Sequence, residues 1–78
     1  MYVTLIEKSL EGLKLSVYSE RLALVESDSF NDSHTLNFHL QALARRHEIQ
    51  KSLLVIHDKD KNTVDLSLVQ DENSFFVG

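Results

Sequence analysis

The stretch Asp32-Ser33-His34-Thr35-Leu36-Asn37-Phe38-His39-Leu40-Gln41-Ala42-Leu43-Ala44-Arg45-Arg46-His47 decides the fold. Leu36, Leu40 and Leu43 recur at spacings of four and three, which puts them on one face of a helix. Gln41, Ala42, Ala44, Arg45 and Arg46 favour helix. Asp32 stands ahead of the first turn and Arg45-Arg46 lies in the last turns, the order of charge that suits a helix dipole. The segment Asp28-Ser29-Phe30-Asn31-Asp32-Ser33 reads as a loop with several candidate N-caps. A helix is predicted over about residues 33–48. His47 falls on the leucine stripe and is read as its closing residue, with the ring bonded to backbone.

On either side the period changes from helical to two. Tyr2-Val3-Thr4-Leu5-Ile6 is β-branched, aromatic and aliphatic, the composition of a strand. Glu11-Gly12 is a turn signal, because glycine tolerates positive φ. Leu13, Leu15 and Val17 then alternate with Lys14, Ser16 and Tyr18. The alternation slips phase before Leu22 and Leu24, and a strand changes phase only through a turn or bulge. A turn or bulge is therefore placed at Ser19-Glu20-Arg21 and a third strand at residues 21–26, with one bent strand over 13–25 as the alternative. After the helix, Leu53-Leu54-Val55-Ile56 reads as an interior strand. Asp58-Lys59-Asp60-Lys61-Asn62 reads as a turn, and Val64, Leu66 and Leu68 as an alternating strand. Asp71-Glu72-Asn73 makes a further turn and Ser74-Phe75-Phe76-Val77 a short last strand. The expected fold is α+β, a mostly antiparallel sheet of about five strands with the helix on one face, in the order β-β(-β)-α-β-β(-β). One helix covers only part of such a sheet, so the other face must be polar or covered by something else.

Seventy-eight residues make a single domain, 1–78, with 42% apolar and 26% charged residues and a net charge of −4. A chain this short buries only about 60% of the surface its unfolded state exposes. Association as a homodimer, or docking on a larger partner, is the natural supplement. The chain has no Cys, so disulfides, thiolate metal sites and Cys nucleophiles are excluded. It has no Pro and two Gly, too few for a glycine-rich phosphate loop. No apolar run is long enough to span a membrane and no secretory leader is visible, so the reading is cytoplasmic.

Motifs of chemistry are weak. Asp58-Lys59-Asp60-Lys61-Asn62 opens like a calcium loop, but Thr63 stands where that loop needs Gly and Val69 where it needs a bidentate Glu. A solvated hairpin turn is the reading. His34, His39, His47 and His57 lack the three- or four-residue spacing of a helical metal pair. No serine sits in a G-x-S-x-G turn. A non-enzymatic protein without cofactor or metal is expected, and a small hydrolase or metal protein on His39, His47 or His57 is the third-ranked alternative.

Charge and apolar patterning point instead to surfaces. Phe38 and Ala42, with Ile49, form a second, weaker stripe opposite the leucines, flanked by Arg45. Glu26, Asp28 and Asp32 lie close in sequence beside it. A protein-binding surface of Phe38, Ala42, Arg45, Glu26, Asp28 and Asp32 is the leading reading. That describes a small regulator or inhibitor docking on a larger protein or complex, of the kind phages and mobile elements encode. The competing view is that Phe30 folds over Phe38 and buries it. A dimeric nucleic-acid-binding regulator is the alternative function, on a basic patch of Arg45, Arg46, Lys51, Lys59 and Lys61. It requires the 58–62 turn to lie near the helix C-terminus, and the net charge opposes it.

Overall fold

The computed structural model describes residues 1–46, 51–70 and 77. Five strands and one helix follow in the order β1 (Tyr2–Ser9), β2 (Gly12–Tyr18), β3 (Leu24–Phe30), α1 (Ser33–Arg46), β4 (Ser52–Asp58) and β5 (Thr63–Val69). They form one sheet in the spatial order β3-β2-β1-β4-β5. All neighbours are antiparallel except β1 and β4, which run parallel from Tyr2 opposite Ser52 to Lys8 opposite Asp58. The fold is therefore the expected α+β arrangement. α1 carries the chain from the β3 edge back to the start of β4, and antiparallel neighbours need only hairpins.

The β1–β2 turn is two residues, Leu10-Glu11, between the paired Ser9 and Gly12. Gly12 takes φ 135°, and a Cβ there would stand 2.9 Å from the carbonyl oxygen of Phe30. The phase slip before Leu22 is a turn between β2 and β3, and the ladder adds a bulge: Val17 faces Glu26 and Tyr18 faces Leu24, leaving Val25 without an opposite residue. Residues 13–30 are thus two strands. The third strand starts later than its predicted range of 21–26 and ends later too. Ser19 closes a turn over residues 19–23, where its N–H donates to Ala23 O at 2.9 Å and its carbonyl accepts from Leu22 N at 2.9 Å. Asp28-Ser29-Phe30, read from sequence as loop, instead extends the β3 ladder, with Asp28 opposite Leu15 and Phe30 opposite Leu13.

The leucine stripe does what its spacing predicts. Leu36, Leu40, Leu43 and Ala44 are buried with Ile6, Leu13, Leu15, Val17, Leu54, Val69 and Val77. Asp32 caps the helix: its Oδ1 accepts from the Thr35 N–H at 2.8 Å and from the Thr35 hydroxyl at 3.0 Å. Within the core, Thr4 and Ser52 share a hydroxyl–hydroxyl bond of 3.0 Å across β1 and β4, which answers two buried polar groups together. Val77 is held to the helix by a two-way amide clasp. Asn37 Nδ2 donates to Val77 O at 2.8 Å, and Val77 N donates to Asn37 Oδ1 at 2.7 Å. The expected places of His47, Ile49, the 71–73 turn and Phe75-Phe76 lie outside the described residues, as do positions 47 and 48 of the predicted helix.

Candidate functional site

Helical geometry alone decides where Phe38 goes. At 100° per residue it lies almost opposite Leu36, Leu40 and Leu43. It is 76% exposed. Ala42 and Arg45 are exposed on the same outer face, one and two turns further on. The expectation that Phe30 would fold over Phe38 is not met. Phe30 belongs to β3, packs against the core, and lays its ring 5.1 Å from that of His39. His39 is the side chain that turns α1 towards β3, so the outer face bearing Phe38 adjoins that strand.

The three acids divide by role. Glu26 tucks beneath the helix, with Oε1 3.3 Å from His39 Nε2. Nε2 is buried without a hydrogen-bond partner, so the contact is an ion pair only when His39 is protonated. Asp28 is exposed and accepts from the Ser29 N–H at 2.8 Å. Asp32 is the helix cap, and its bonds from the Thr35 N–H and hydroxyl hold its carboxyl below the ordinary range. Asp28 and Asp32 therefore present negative charge at the helix N-terminal end of this surface. Arg45 sits at the other end, between three and four turns from Asp32.

The proposed basic patch comes apart. Lys51 precedes β4, and Tyr2 N donates to its carbonyl at 3.2 Å at the end where β1 begins. Arg45 and Arg46 end α1 there as well. Lys59 and Lys61 follow β4 at its far end, so the two groups are separated by the strand's length, about 20 Å. Lys59 is moreover paired with Glu7 at 2.9 Å. That hydrogen bond holds the Glu7 carboxyl below its ordinary value and the Lys59 ammonium above its own. The patch failed because the sequence does not say that β4 runs away from the helix end before it turns.

The calcium-like segment is a tied turn. Asp58 Oδ1 accepts from the N–H groups of Asp60 and Lys61, both at 3.1 Å, and Asn62 takes φ 55°. Among the described residues no three His, Asp or Glu side chains gather to hold a metal ion. A cleft of about 260 Å³ lies at this end beside Glu7, Lys14, Ser29, Asn31 and Lys59. Two of the charges that line it, Glu7 and Lys59, already answer each other.

The sequence reading left open whether the other face of the sheet is polar or covered, and the registers decide what it carries. The registers place three rows of side chains there, each read from β3 to β5. The first row is Leu24, Tyr18, Val3, Leu53, Leu68; the second Ser27, Ser16, Leu5, Val55, Leu66; the third Ser29, Lys14, Glu7, His57, Val64. The first row is apolar or aromatic throughout, and the second becomes apolar from β1 onward. The signal was present in Val64, Leu66 and Leu68, but alternation does not say which face an apolar phase occupies. Leu54 points to the helix and is paired with Ser67, so the apolar phase of β5 points away from it. No protein-family model matches the chain, and no curated protein or solved structure is significantly similar to it.

Proposed function

We propose that this chain acts in the cytoplasm as a non-enzymatic protein-binding module, a small regulator or inhibitor that docks on a larger protein through the outer face of α1. The observation that carries the reading is Phe38, 76% exposed on a helix whose opposite face already supplies the core. An aromatic ring held on a rigid helix loses little freedom on binding, and such rings dominate interface energetics. Ala42 leaves room for a partner's surface to approach between Phe38 and Arg45. Asp28 and Asp32 add charge at one end and Arg45 at the other. The complementary partner offers an apolar pocket for the ring, with basic groups facing the acids and an acid facing Arg45.

The test is a quantitative binding measurement on the partner captured by the immobilised chain. Phe38→Asp is expected to weaken that binding by at least about 30-fold, the cost of a hot-spot aromatic. The far-ultraviolet circular dichroism should remain that of the parent. Unchanged affinity, or loss of fold, overturns the reading.

A further inference from the structure

We infer that the open face of the sheet is the seat of a second copy of this chain, giving a dimer layered helix–sheet–sheet–helix. Val64, Leu66 and Leu68 are 59, 66 and 49% exposed, and Leu24, at the opposite edge, is 58% exposed. Roughly 300 Å² of surface comes from the three β5 residues alone, and Leu24 with the partly buried Tyr18, Val3 and Leu53 extends the band to the upper end of what a soluble monomer exposes, about 300–600 Å². An antiparallel sheet facing water on one side normally carries polar residues there.

Charge selects the occupant. The first two rows hold no charged side chain, so they offer nothing to recognise a charged partner. What they fit is a broad, uncharged surface of the same width, and the chain's own face is one. The net charge of −4 opposes self-association wherever charges meet, but the first two rows carry none. The third row fixes the orientation. A two-fold axis along the strands would set Glu7 against Glu7 of the partner subunit. An axis across the strands, between the first and second rows, sets Leu53 on the partner's Val55 and Leu68 on the partner's Leu66. The third row then falls at the rim, where the register carries Lys14 towards the partner's Glu20, Glu7 towards the partner's Met1 and His57 towards the partner's Lys51. Two sheets stacked in this way lie about 10 Å apart with strands crossed by about 30°. This surface is separate from the outer face of α1, which stays free on both copies.

The experiment is light scattering on a sizing column over a wide concentration range, paired with amide spectra recorded on dilution. The expected mass is twice the 8.9 kDa of the chain, falling towards the monomer on dilution. Leu66→Lys, at an exposed position, should keep its circular dichroism and weaken the dimer by at least about 100-fold, as expected when a charge is buried against an apolar face. Phe38→Asp should leave the dimer unchanged, which separates this inference from the helix-face reading. On dilution of the parent, the amides of Leu5 and Val55, in strands interior to the sheet, should shift with the mass. A monomer at every concentration overturns the inference, as does a Leu66→Lys dimer of parental strength. Shifts confined to β5 also overturn it, because they would mean pairing through the strand edge.

Discussion

At Gly12 two constraints coincide. The backbone takes φ 135°, which L side chains rarely adopt, and the space a Cβ would fill ends 2.9 Å away at the Phe30 carbonyl oxygen. That oxygen belongs to the strand backbone and cannot swing aside like the tip of a long side chain. Gly12→Ala is therefore expected to cost about 2 kcal/mol or more, measured by urea unfolding, since strain and overlap add. The sequence reading placed a turn at Glu11-Gly12, and the turn is there. The reason Gly is needed is only half local: the φ comes from the hairpin, whereas the crowding comes from β3, eighteen residues on. The same distinction explains Phe38 and Phe30. Helical spacing puts Phe38 outside, but the position of Phe30 depends on how far β3 runs.

Among the elements, α1 was the most legible. A three-residue apolar set at spacings of four and three needs no tertiary information to choose its face. The strands were less so. Ser27, Asp28 and Ser29 have poor strand propensity, yet they complete the β3 ladder because β2 offers its whole edge to them. The phase of β5 was illegible for a different reason, since both faces of a strand look alike until a partner fixes the register. The cap of α1 carries a pH dependence. Bonds from Thr35 lower the Asp32 carboxyl in the folded chain, so ionised Asp32 stabilises the helix above the carboxyl's unfolded value. That contribution is lost as the pH falls through the lower, folded value. Glu7 adds loss of the same sign through its bond from Lys59. Thermal melts should therefore fall in midpoint as the pH drops below about 4.5. Asp32→Asn keeps an acceptor for Thr35 without an ionisable group, and its melts should show a shallower fall.

Across the whole molecule, the clasp between Asn37 and Val77 joins segments forty residues apart. A side-chain amide serves Val77 as a neighbouring strand would, giving one donor and one acceptor. Val77 is buried, so both of its backbone groups need those bonds. Asn37→Asp keeps the acceptor but turns the donor into a second oxygen facing the Val77 carbonyl. It should lower the unfolding free energy by about 1–3 kcal/mol in urea, with a similar helix spectrum under native conditions. Asn37→Ala should fall within the same range.

The parallel pairing of β1 with β4 also bears on how the chain is made. β1 finds β2 at once across a two-residue turn, but the Thr4–Ser52 bond links positions forty-eight residues apart. During synthesis at about 5–20 residues per second, β1 waits several seconds for the strand that will cover its other edge. Through that interval a hydrogen-bonding edge in the middle of the future sheet is open to any passing strand. The vulnerable moment for this protein is therefore at the ribosome, before α1 and β4 have emerged, and slower translation of residues 33–58 would lengthen it.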